Sequence, residues 1–103
     1  MMTAAEQLEV IRQRVDRQAL REQLGEECGE VVQMLFKSYR ANGNGNPTPM
    51  TCEQVEEKLK EEICDLIVCL AALDYFRLGE LADDSVIAGK VARWVHRIEG
   101  AKG

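Results

Sequence analysis

Two matching apolar stripes, one on each side of a single loop, constrain this chain more than any other feature of it. Leu20, Leu24, Val31 and Leu35 recur at helical spacing, and Val55, Leu59, Leu66 and Leu70 repeat them 35 residues later. Between the stripes lies Ala41-Asn-Gly-Asn-Gly-Asn-Pro-Thr-Pro-Met50, which holds both prolines of the chain. Its Asn, Gly and Pro residues favour turns and interrupt helices, so a loop is placed at about 42–50. Runs of β-branched residues with period-two alternation are absent, and no strand is expected. The expectation is an all-α fold of antiparallel helices, four-helix-bundle-like and oligomeric.

The remaining elements follow from caps and periodicity. Leu8, Ile11 and Val15 mark a first helix. Asp16 either ends it and caps the second helix or sits at the kink of one long helix. Thr51, with Gln54 three residues on, forms a capping-box signature for the third helix. That helix carries Val55, Leu59, Ile63, Leu66, Leu70 and Leu73, with Gly79 interrupting near its end. Asp83 or Asp84 caps a fourth helix, with Ile87, Val91, Trp94, Val95 and Ile98 on its apolar side. A frayed tail is expected over 100–103. At 103 residues and 11.6 kDa the chain reads as a single domain, 1–103.

Composition narrows the function. Thirteen Lys+Arg against eighteen Asp+Glu leave a net charge of -5, and without a basic tail this argues against bulk nucleic-acid binding. The uncharged stretches are too short to span a bilayer, and no signal-peptide pattern opens the chain. Cys28, Cys52, Cys64 and Cys69 form no C-x-x-C pair, which argues against a zinc ribbon or a thioredoxin-type site. Reduced thiols in a cytoplasm are the expectation, with Cys28, Cys64 and Cys69 as small packing residues.

Acidic residues repeat with the stripes. Glu26-Glu27-Cys28-Gly29-Glu30-Val31 is echoed by Glu61-Glu62-Ile63-Cys64-Asp65-Leu66. At about 100° per residue, Glu27 falls at the margin of its apolar stripe and Glu30 one turn on, beside it. Glu62 and Asp65 take the same places on the third helix, whereas Glu26 and Glu61 turn further away. One such pair alone would read as a solvated face. The same pair twice, at equal positions on two helices, brings four carboxylates together if the helices pack antiparallel. Repulsion and desolvation then call for a counter-charge. Oxygen-only ligands select a hard cation, Mg²⁺ or Mn²⁺. A carboxylate di-iron bundle needs Glu-x-x-His on two helices, and His96 is the only histidine.

Cations lie on the fourth helix. Lys90, Arg93 and Arg97 share one face, a strip suited to polyphosphate or simply to the helix C-terminus. Lys37, two turns after Glu30, is a further candidate for the same work. Gly43 and Gly45 have neither a preceding strand nor a following Lys-Ser/Thr, so no phosphate-binding loop of that kind is present.

Glu27-x-x-Glu30 with Glu62-x-x-Asp65 resembles the E-x-x-E…E-x-x-D signature of the all-α nucleoside triphosphate pyrophosphohydrolases, most closely the MazG-like group. Leu24-Gly-Glu-Glu-Cys-Gly-Glu-Val31, Glu61-Glu-Ile-Cys-Asp-Leu66 and Lys90-Val-Ala-Arg-Trp-Val-His-Arg97 carry the likeness, which runs from about Leu20 to Gly100. The resemblance implies a helical bundle that forms homodimers or homotetramers. It implies Mg²⁺ held by Glu27, Glu30, Glu62 and Asp65, and hydrolysis of an NTP or dNTP to the monophosphate and pyrophosphate. On that reading Lys37, Lys90, Arg93 and Arg97 bind the substrate. The chain departs from the family in its short fourth helix and in lacking a long C-terminal base-recognition segment, so base and sugar preference stay open. Phosphoribosyl-ATP pyrophosphohydrolase, with a similar bundle, is the alternative enzyme. A non-catalytic helical dimer that binds nucleotide or metal is the alternative of another class.

Overall fold

A computed structural model describes residues 1–77 and 84–101. Four helices are present among them: α1 (Ala4–Arg14), α2 (Arg17–Ala41), α3 (Cys52–Ala72) and α4 (Ser85–Ala101), with no strand. The expected Gly79 interruption, the Asp83 cap and the last two residues of the tail lie outside the described residues.

Local chemistry sets the boundaries. Asp16 accepts a hydrogen bond from the Ala19 amide at 2.8 Å, so α1 and α2 are separate helices rather than one kinked rod. Thr51 and Gln54 form the expected capping box at 3.1 and 2.9 Å. Asp84 accepts from the Val86 and Ile87 amides and starts α4. Thr3 and Glu6 make a second capping box, a T-x-x-E signal that the sequence carries in plain view. α3 ends earlier than Gly79 would place it. Asp74 adopts φ 64°, its amide bonds the Ala71 carbonyl, and the Tyr75 amide reaches back to Leu70. That is a Schellman termination with Asp in the place glycine usually takes.

α2 and α3 run antiparallel. At one end Cys52 Sγ donates to the Ala41 carbonyl at 3.2 Å, and at the other Arg17 Nη1 donates to the Leu73 carbonyl at 3.1 Å. The seam on α2 runs through Leu20, Leu24, Glu27, Val31 and Met34, all buried or half-buried. On α3 it runs through Val55, Leu59, Glu62, Leu66, Cys69 and Leu73. These steps of four and three are a heptad pattern. The offset of 35 residues is five heptads, so both helices keep one register. The expected stripes are corrected in two places. Leu35 and Ile63 are exposed, at 53% and 40%, and Met34 and Cys69 take the buried positions. Cys28 and Cys64 are likewise exposed rather than packed; all four cysteines are free thiols.

α1 closes the far end of the pair. Leu8 packs with Leu20, Ala71, Ala72 and Leu73, and Ile11 and Leu24 lie against that cluster. Arg12 donates to the carbonyls of Ala71 (2.8 Å) and Ala72 (3.2 Å) in the last turn of α3, where helix carbonyls run out of intrahelical donors. A guanidinium there also opposes the negative end of the α3 dipole. Replacement by alanine strands the Ala72 carbonyl and leaves Ala71 with the Asp74 amide alone, and Arg12→Ala is expected to cost about 2 kcal/mol. Urea denaturation checks it, as a lower midpoint at unchanged slope.

α4 is different. From Ala88 to Gly100 every residue is exposed, including Val91, Trp94, Val95 and Ile98. The radius of gyration, 17.4 Å, exceeds the value of about 13 Å for a compact chain of this length. No described helix is long and apolar enough to cross a membrane.

Candidate metal centre

The seam positions of the two acidic repeats bring the site together. Glu27 enters from α2 and Glu62 from α3, each more than nine-tenths buried. Glu30 follows Glu27 by one turn and is exposed. One carboxylate oxygen from each of the three lies within 4.8 Å of the others. Glu27 and Glu62 therefore sit inside the buried seam, not at its margin.

Some oxygens of the triad have partners. Gln23 Nε2 donates to Glu27 Oε1 at 2.8 Å. Lys58 Nζ lies 3.2 Å from Glu62 Oε1 and 3.6 Å from Glu61 Oε2. Glu27 Oε2 and Glu62 Oε2 are buried with no hydrogen-bond partner among the described residues. A buried acceptor without a donor is costly, and a carboxylate more so. Two buried carboxylates from separate helices, each with such an oxygen, and the exposed carboxylate of Glu30 close by form an all-oxygen donor set. That set fits a hard divalent ion and suits neither zinc nor copper.

The electrostatics agree. A hydrogen bond to Glu62 holds the Glu30 carboxyl above its ordinary value of 4.5, and the charges of Glu62 and Glu27 raise it further. The same bond pulls Glu62 below the ordinary value, with a second from Lys58. The Glu62 bond raises Lys58 in turn. The Glu30 carboxyl thus gives up its proton less readily than an isolated carboxyl does. Folded Glu30 binds that proton more tightly than unfolded Glu30. Its contribution to stability is complete below the ordinary value and is lost as pH rises through the raised one. A metal ion bound there would take the carboxylate, and so would compete with the proton and gain affinity as pH rises. Any stabilisation by Mn²⁺ is expected to grow as pH rises above the ordinary carboxyl value of 4.5. In Glu30→Gln that growth should flatten. Thermal melts in EDTA and in Mn²⁺ at a series of pH values check both statements.

The other expected site residues are placed less closely. Asp65 is exposed and stands outside the triad. Its charge and that of Glu27 both act on the Cys69 thiol, which burial pushes up first. Asp65 thus lies on the side of α3 that carries the site. Lys37 is half-buried on α2, two turns beyond Glu30. Lys90, Arg93 and Arg97 line a cleft of about 530 Å³ with Trp94 and His96, and no carboxylate of the triad borders it among the described residues. Trp94 thereby joins the cations instead of facing away from them. Lys58 escaped the sequence reading, although its spacing of one turn before Glu62 was an available signal.

Comparison with family models, with curated proteins and with solved structures returns no match.

Proposed function

We propose that this chain is a Mg²⁺-dependent nucleotide pyrophosphohydrolase, cleaving an NTP or dNTP to the monophosphate and pyrophosphate. The observation that carries the reading is the pair of buried oxygens on Glu27 and Glu62 that lack a partner among the described residues, in a triad with Glu30 whose carboxylates come within 4.8 Å of one another. Glu27, Glu30 and Glu62 would hold the ion, and Asp65 would join from the exposed side as the fourth carboxylate. Bound Mg²⁺ supplies Lewis-acid polarisation of a phosphate oxygen and a more acidic water. Glu30 is the exposed member of the triad, so its carboxyl faces the side from which substrate and water arrive. Lys90, Arg93 and Arg97 would bind the polyphosphate, with Trp94 beside them for a base, and Lys37 is a further candidate.

A second copy of the chain completes this reading, as a homodimer or homotetramer. Val32, Leu35, Phe36 and Tyr39 make an exposed apolar stripe along α2, and the α4 stripe is uncovered as well. Apolar surface of this extent favours burial against a second copy, in a four-helix bundle built between chains. Wild-type protein should elute at a multiple of 11.6 kDa by light scattering, and Phe36→Asp should shift it towards the monomer.

The test is pyrophosphate release over a panel of NTPs, dNTPs and phosphoribosyl-ATP, with and without Mg²⁺. Release only with the metal supports the proposal. Release from phosphoribosyl-ATP alone selects the alternative enzyme. Background release with retained nucleotide binding selects the non-catalytic dimer.

A further inference from the structure

The triad brings three carboxylates within 4.8 Å of one another, and among the described residues one cation pairs with it. Lys58, a single turn before Glu62 on α3, places Nζ 3.2 Å from Glu62 Oε1. Glu62 is buried, while the Lys58 side chain is half exposed. The ammonium therefore approaches the buried carboxylate from solvent, and Glu62 Oε2 points inward without a partner.

We infer that Lys58 is a built-in counter-ion that occupies Glu62 in the metal-free site and must give way when a divalent ion binds. The inference rests on the metal-site reading above. A lysine suits the role because its charge is compact and its stem flexible, so it can leave without disturbing the backbone. An exit is at hand. Lys58 borders an open cleft of about 340 Å³ lined by Met50, Gln54, Glu57 and Glu61, and Glu61 Oε2 already stands 3.6 Å from Nζ. Withdrawal towards Glu61 exchanges one carboxylate partner for another. Lys58 is thus a positioning residue: it holds Glu62 in place before the ion arrives and sets how tightly the ion binds.

Lys58→Met removes the competing charge, and Lys58→Arg keeps it. Titration calorimetry with Mn²⁺ alone, and thermal melts in EDTA, read the two halves separately. Lys58→Met is expected to bind Mn²⁺ about tenfold more tightly, since a unit positive charge no longer stands beside the divalent ion. Its melting temperature in EDTA should fall, and combining it with Glu62→Gln should lower it no further. Lys58→Arg should stay close to wild type in both. Should Lys58→Met fold poorly, Lys58→Gln gives the same comparison. Equal Mn²⁺ affinity in wild type and Lys58→Met would overturn the competition while leaving the metal site standing. No Mn²⁺ binding by any variant would overturn the site and the competition with it.

Discussion

Glu62→Gln is expected to reduce Mg²⁺-dependent pyrophosphate release by about 100-fold or more. Loss of an outer partner of a metal ligand already costs about 10–100-fold, and Glu62 is assigned as a ligand itself. The substitution keeps shape and volume, so the seam stays packed. It also removes one of three converging charges, which eases the repulsion that the metal-free protein carries. The melting temperature in EDTA should therefore hold within a few degrees, while the increment given by Mn²⁺ disappears. Asp65→Asn makes the informative contrast, because Asp65 is exposed and outside the triad. It should also cut turnover, yet leave more of the Mn²⁺ increment than Glu62→Gln does. Wild-type turnover in purified, folded Glu62→Gln would remove the site assignment.

Much of this architecture is legible in the sequence, and what is not has two physical causes. Caps are local chemistry, so Asp16, Thr51 with Gln54, and Asp84 mark three helix starts without tertiary information. The repeat at 35 residues places Glu27 and Glu62 in equivalent positions, and these are two of the three carboxylates of the triad. Periodicity traces the stripes through apolar residues only. Glutamates at two seam positions break such a line, and Leu35 and Ile63 then look like its continuation. The structure returns those two residues to the surface, since the seam follows steps of four and three through Glu27 and Glu62. The end of α3 was hidden for another reason. A left-handed cap is written in sequence as glycine, and here Asp74 adopts it, secured by the Ala71 and Leu70 carbonyls. The α4 stripe is plain in the sequence, but what covers it is a tertiary or quaternary matter on which periodicity is silent.

Leu73→Ala should show the reverse signature. Leu73 is 1% exposed, packs where α1, α2 and α3 meet, and gives its carbonyl to Arg17. Truncation leaves a cavity lined by Leu8 and Leu20, and neighbours tied by the Arg12 and Arg17 hydrogen bonds have little freedom to collapse into it. The expected cost is about 3 kcal/mol, a large part of the roughly 5–15 kcal/mol that holds a domain together. For a chain of this length that lowers the melting temperature by about 15 °C. Glu62 stands about three helical turns away along α3, so the folded fraction should bind Mn²⁺ with wild-type affinity. Melting temperatures with and without the ion then fall in parallel, and the increment between them survives. The two variants together separate the fold from the site: Glu62→Gln loses the increment and keeps the fold, and Leu73→Ala loses stability and keeps the increment. Loss of the increment in Leu73→Ala at temperatures where circular dichroism reports full helicity would mean that the α1 end and the carboxylates are one cooperative unit.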